Sequence, residues 1–300
     1  MFVLFFIIKF CIQINFLGNF VQLPDLTLTD CSGQNRANVS NTLAIVLATC
    51  GYDVWLGNYR GNRYSNGHIL LDPTIDSAYW SFSVDELSHY DIPANIEYIL
   101  ALTGFGELGY IGHSLGTSGM FQLLADRPDY SRFIKPFIAL APVAHVSHIE
   151  AIILQLAFII KQLIKFFVYN YINNSIIPAA YGHFPDGTSS RVLAHLAQRV
   201  TRNTFSYYDF GTEQNLKLYH SPSPPVYNLS QINSPYIILL SGINDYLADP
   251  TDVNILRIRP YIDYVIPYEL FNHIDFLLGK NAGLLQNSLI LQWLGKLYKD

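Results

Sequence analysis

The chain reads as an α/β protein with a mostly parallel central sheet and helices on both faces. Three observations predict this. Apolar runs at residues 52–57, 108–112, 136–141, 235–241 and 261–267 are bounded by turn residues and alternate with helical patterns. A serine sits between two glycines where one run turns into a helix. Acid and base candidates lie just past the ends of two later strands, where ligands bind in open α/β sheets.

The turn is Gly112-His113-Ser114-Leu115-Gly116, a G-x-S-x-G pentapeptide. Alone it is a weak signal, because five loosely specified residues recur by chance. Its context strengthens it: an apolar strand ends at Ile111, and a helix over 117–125 follows, stopped by Arg127-Pro128. The plain alternative is a glycine-rich strand-to-helix turn with no chemistry. In the catalytic reading the tight turn pushes the Ser114 hydroxyl out at the top of the sheet. A serine nucleophile needs an imidazole base, and the base needs a carboxylate to hold its tautomer. In this topology the acid and then the base follow the serine along the chain.

Asp245 follows the 235–241 strand after Gly242, and His273 follows the 261–267 strand. Singly, Asp245 and Asp249 read as turn residues and His273 as a loop histidine. Taken with Ser114 in the required order, Ser114, Asp245 and His273 read as a catalytic triad. Asp249 and Glu269 are the other candidate acids; Asp245 lies nearest a strand end. Asp275 is too close to His273 in sequence to be the obvious orienter. His113 is expected to face away from the pocket, and His68, His89, His145, His148, His183, His195 and His220 carry no comparable context.

Many further stretches resemble one family in its order. They are Gly51-Tyr-Asp-Val-Trp-Leu-Gly-Asn58, Arg60-Gly-Asn62, Phe82-Ser-Val-Asp-Glu-Leu87 and Tyr90-Asp-Ile-Pro-Ala94. With them go Ala139-Leu-Ala-Pro-Val143, Pro185-Asp-Gly-Thr-Ser189, Leu247-Ala-Asp-Pro250 and Asn272-His-Ile-Asp-Phe276. From about Asn41 onward the chain is similar to the acid lipases, the gastric and lysosomal acid lipase and cholesteryl ester hydrolase family. The resemblance implies an α/β-hydrolase fold, a secreted or lysosomal location, and hydrolysis of neutral-lipid acyl esters. It places Ser114, Asp245 and His273 on the family's triad positions, with the Leu115 N–H in the oxyanion hole.

Three departures from the family pattern matter. Leu115 stands where the family has glutamine, which keeps the backbone donor and alters packing alone. The family's His-Gly-Leu loop, source of the second oxyanion donor, has its nearest counterpart in Phe20-Val-Gln-Leu-Pro-Asp-Leu26, with neither the histidine nor the glycine; the alignment floats over 23–29 and leaves that donor unnamed. Losing one such donor costs roughly 2.7–4 kcal/mol of barrier in subtilisin. The two edge strands before that loop are absent, and residues 16–23 are the candidate to fill the central slot of the third. The helical lid is shortened too. Its remnant at 150–172 carries Lys161 and Lys165, which argue for an amphipathic cap helix rather than a transmembrane span. A weak esterase is expected, favouring short activated esters over long-chain lipid. The alternative is a catalytically impaired or incomplete relative that acts as a lipid-binding or non-catalytic protein.

Domain organisation follows: a core over 18–142 and 229–300, with a cap insertion over 143–228. Residues 1–17 resemble a signal peptide or an aberrant N-terminus, with an internal apolar strand as the alternative. Only 14% of residues are charged, against ~25% in soluble proteins. Twenty-one tyrosines and 19 phenylalanines make up much of that difference and suit transient contact with a lipid interface. A net charge of −5 without a basic run argues against nucleic acid as a partner. The triad chemistry calls for no cofactor and no metal. Asn38, Asn173 and Asn228 begin glycosylation sequons. The three cysteines, Cys11, Cys31 and Cys50, suggest neither a disulfide framework nor a zinc site. Asn41 is expected to cap a helix ending at Gly51, Ser83 and Glu86 to form a capping box, and Pro93 to kink the helix that follows.

Overall fold

A computed structural model of the protein describes residues 5–10, 29–39, 41–146, 187–254, 256 and 260–298. Six strands form one sheet: β1 (Phe5–Phe10), β2 (Tyr52–Gly57), β3 (Leu108–His113), β4 (Ile134–Leu140), β5 (Ile237–Gly242) and β6 (Ile262–Ile266), in the order β2-β1-β3-β4-β5-β6. From β3 to β6 every pairing is parallel. The five strands expected from sequence are β2 to β6, each within a residue or two of the expected bounds.

The central slot between β2 and β3 is filled, but not by residues 16–23. Phe5–Phe10 occupies it, antiparallel to both neighbours, with Phe5 opposite Gly57 on one side and Gly112 on the other. The reason is local: Phe5–Phe10 is an aromatic and β-branched run broken only by Lys9, whereas 16–23 contains Gly18 and Asn19, both poor strand formers. Residues 16–23 themselves lie outside the described residues. The apolar N-terminal run expected as a signal-like segment thus contributes a central strand.

The strands bury both faces by their two-residue alternation. Tyr110, Phe137, Ala139, Ile237 and Leu239 point into one core cluster. Ile111, Ile138, Leu140, Ile238 and Leu240 point into the other. The first cluster is covered by α3 (Ile92–Thr103) and α4 (Leu115–Asp126), the second by α1 (Leu43–Thr49) and α9 (Ser288–Leu297). Between α4 and α9 come α5 (Ser190–Arg202), α6 (Thr212–Tyr219), α7 (Pro250–Asn254) and α8 (Asp275–Leu278).

Ser83 opens α2 (Val84–Glu86) with the expected capping box, its hydroxyl accepting from the Asp85 N–H while Glu86 accepts from the Ser83 N–H at 2.6 Å. One other helix expectation is corrected, and the residue expected to kink the helix is placed. Asn41 does not cap α1; its side chain accepts from the Gly283 N–H at 2.7 Å, and Thr42 stands at the N-cap without a side-chain bond. Pro93 lies in the first turn of α3, preceded by a π turn at Leu87–Asp91. The carbonyl its ring would crowd, four residues back at His89, lies inside that wider turn.

The cysteine reading is corrected as well. Cys31 and Cys50 form a disulfide across 19 residues of chain, tying the turn after Thr29 to the end of α1. An odd cysteine count hid this pair. The cap helix expected at 150–172 lies outside the described residues, as does Asn173. Among the described residues no helix is long and apolar enough to cross a membrane.

Candidate active site

The site is built where β3 turns into α4. Gly112 cannot carry a side chain there, because a Cβ would lie 2.8 Å from the Gly116 carbonyl carbon. That contact closes the turn so tightly that Ser114 is forced to φ 55° and ψ −115°. A non-glycine residue in this region costs of order 1–3 kcal/mol, and the surroundings must hold it there. They do: the Ser114 N–H donates to Leu140 O at 3.1 Å, and its carbonyl accepts from the Thr117 hydroxyl at 2.6 Å. Thr117 in turn accepts from the Val143 N–H at 2.9 Å, so the turn is bolted to the loop after β4.

The structure brings the three sequence candidates together. His273 Nε2 lies 2.7 Å from Ser114 Oγ, and His273 Nδ1 lies 2.9 and 3.1 Å from the two Asp245 oxygens. Asp245 is 2% exposed. Burial alone would raise its pKa; the His273 imidazole and the Ala248 and Leu247 N–H groups outweigh it and hold the carboxyl below its ordinary range. An ionised Asp245 accepts the Nδ1–H and leaves the Nε2 lone pair facing the serine hydroxyl.

The acid and base loops meet closely because the residue at 242 is glycine: a Cβ there would lie 2.7 Å from Phe271 O. Asp245, not Asp249, lies against His273; the Asp249 carboxylate accepts from the Thr251 N–H at the start of α7. Asp275 accepts from the Asn272 N–H at 2.8 Å and so braces the loop that carries His273. Burial pushes the Asp275 carboxyl up to about 6. Ser114 is half-buried, and beside it Leu115 lines a small cleft with Tyr59, Arg60, Leu87 and Thr188. Most of the 23–29 stretch, where the second oxyanion donor was sought, lies outside the described residues. Asn228 is exposed.

Residues 30–160 match the family model of the alpha/beta hydrolase fold. Human lipase member K is 33% identical over 81% of this chain and 71% of its own length. Human gastric triacylglycerol lipase is 34% identical over the same shares, and lipase 1 of Drosophila melanogaster 33% identical over 86% of this chain and 67% of its own. The chain belongs to the acid lipase family.

This acid lipase is a carboxylic ester hydrolase of the α/β-hydrolase superfamily. Like its family it is secreted or lysosomal, an oxidising or extracytosolic setting in which the Cys31–Cys50 bond persists. Sequence reasoning missed two contributors to the site. Thr117 has a signal in hindsight, since it stands three residues after the serine in the first helical turn, where a hydroxyl reaches back to a carbonyl. His113 was expected to face away from the pocket and does, yet it touches the catalytic candidates from behind, donating from Nε2 to the His273 carbonyl at 2.8 Å.

Proposed function

We propose that this acid lipase hydrolyses acyl esters of neutral lipids through a Ser114 acyl-enzyme. The observation that carries the reading is the unbroken hydrogen-bond chain from Ser114 Oγ through His273 to Asp245. Ser114 Oγ attacks the ester carbonyl carbon while its proton passes to His273 Nε2. Asp245 stabilises the imidazolium that forms and remains ionised. The carbonyl oxygen becomes an oxyanion, and the Leu115 N–H at the start of α4 donates to it, aided by the helix N-terminus. The tetrahedral intermediate collapses, and the alcohol leaves with the proton from Nε2. Water then repeats the sequence on the acyl-enzyme and releases the fatty acid.

Neutral-lipid substrates are supported by the name of one relative, a triacylglycerol lipase, and by the aromatic-rich composition. Residues 143–228 are read as a cap, since Val192, Phe205 and Tyr227 pack into the same cluster as Leu115. The test is turnover of a short-chain activated ester and of a long-chain emulsified triacylglycerol, by wild type and by Ser114→Ala. Serine-dependent turnover is expected on both, faster on the short ester, whose good leaving group demands less of the oxyanion hole. Activity that survives Ser114→Ala would overturn the assignment.

A further inference from the structure

His113 is the buried titratable group that the mechanism above does not use. It is 3% exposed, and its ring lies 4.7 Å from the His273 ring and 6.0 Å from the Phe276 ring, centroid to centroid. Nε2 donates to the His273 carbonyl at 2.8 Å across 160 residues of chain. Nδ1, also buried, has no partner among the described residues. A phenylalanine could fill this space without burying that nitrogen, whose desolvation opposes folding. What a phenylalanine could not do is donate to the His273 carbonyl.

We propose that His113 is a positioning residue, whose Nε2–H pins the His273 backbone to the strand that carries the nucleophile. This inference rests on the triad reading of Ser114 and His273. His113 is the last residue of β3 and immediately precedes Ser114. Any displacement of that strand end therefore carries Ser114 and, through the His113 bond, the His273 loop along with it. Asp245 controls the imidazole's tautomer from the far side of the ring, and His113 controls where the backbone behind that ring sits. Placement matters because proton transfer needs the 2.7 Å contact, and small errors in catalytic geometry cost large factors in rate.

The arrangement works only if His113 stays neutral. A charged imidazole 4.7 Å from His273 would oppose the imidazolium that forms there during attack. Burial first, and the neighbouring His273 second, push the His113 pKa down to about 3. The hydrogen bond to the His273 carbonyl and the Asp245 charge pull the opposite way and are outweighed.

The test compares His113→Phe, which removes the donor, with His113→Gln, whose amide nitrogen can reach the same carbonyl. Both are assayed on a soluble short-chain ester beside wild type and Ser114→Ala. The expected result is a kcat lowered about 10- to 100-fold in His113→Phe, the rate equivalent of one lost buried hydrogen bond, with KM within about twofold. His113→Gln should recover most of that loss. A wild-type kcat in His113→Phe, or equal loss in both variants, would overturn the proposal. Activity surviving in Ser114→Ala would instead overturn the triad reading on which it rests. Histidine nitrogen NMR of the wild-type protein needs no variant to fold. It should show His113 as the neutral Nε2–H tautomer from about pH 5 to 8, and an Nδ1–H tautomer or a titration near pH 6.5 would be equally fatal.

Discussion

Asp245 and Asp275 stand in one loop cluster and respond to it in opposite directions. Asp245 is held below its ordinary pKa by the imidazole and two N–H groups, against the pull of its own burial. Asp275 accepts one N–H bond, feels the Asp245 charge, and is pushed up from 3.8 to about 6, chiefly by burial. The stability consequences have opposite signs. Asp245 contributes stability that is present above the unfolded value of 3.8 and lost as pH falls through its lower folded pKa. For Asp275 the folded state binds the proton more tightly, so stability falls as pH rises from 3.8 to about 6. Asp275→Asn keeps an acceptor for the Asn272 N–H and removes that penalty. The variant should therefore gain on wild type by of order 1–3 kcal/mol between pH 4 and pH 7 in urea unfolding; parallel stabilities at the two pH values would refute it. Asp245→Asn should leave the fold intact and lower kcat on a short-chain ester by about 10⁴-fold, as the equivalent change does in trypsin, because the imidazole loses its tautomer control.

At the scale of elements, the elbow was legible because its causes are local. Strand, glycine, serine, glycine and helix are contiguous in sequence, and the close contact that forbids a side chain at Gly112 is with Gly116 in the same turn. Gly112→Ala should therefore cost about 1–3 kcal/mol in overpacking and displace the Ser114 hydroxyl, read as a joint loss of Tm and kcat. The meeting of Ser114, Asp245 and His273 was legible for a related reason, since each follows the end of a strand whose apolar run is unmistakable. Where distant contacts decide, the sequence was silent. Asn41 has the side chain of a helix cap, yet the Gly283 N–H captures it. Nothing near Pro93 announces that the turn before it widens. The family pattern points to 16–23 for the central strand, while local propensity favours Phe5–Phe10, which forms it. The disulfide required knowing that the turn after Thr29 returns to the end of α1. By the chain-entropy argument a loop of this size is worth about 3 kcal/mol, so replacing Cys31 and Cys50 with serine should cost that order in denaturant unfolding.

Across the whole molecule, one buried carboxylate joins the two parts of the chain that sequence analysis separated as core and cap. Asp85 follows the Ser83 cap by two residues and is 7% exposed. Its oxygens accept from Gln122 Nε2 of α4 at 3.0 Å, from the Tyr227 hydroxyl at 2.7 Å and from the Tyr208 N–H at 2.8 Å. Arg199 of α5 lies 3.9 Å away, buried, and also reaches the Ser118 hydroxyl of α4 and the Ser206 carbonyl. Burial works against both charges, raising the Asp85 pKa and lowering that of Arg199, so the pair is held by its hydrogen bonds as much as by Coulomb attraction. Such a network costs little while complete and much when halved. Asp85→Leu should lose about 3–5 kcal/mol, because it strands a buried guanidinium and orphans the Tyr227 and Gln122 donors. Asp85→Leu combined with Arg199→Met should recover part of that loss, since the unpaired charge is gone. Denaturant unfolding of the three proteins decides it: a double variant no more stable than Asp85→Leu alone would show that Arg199 takes no part in the coupling. Limited proteolysis adds the spatial half of the argument. With Asp85 gone, α5 loses one of its polar anchors on the core and keeps those to Ser118, Trp80 and Ser81, and cleavage should begin within 187–228 before any site in the sheet.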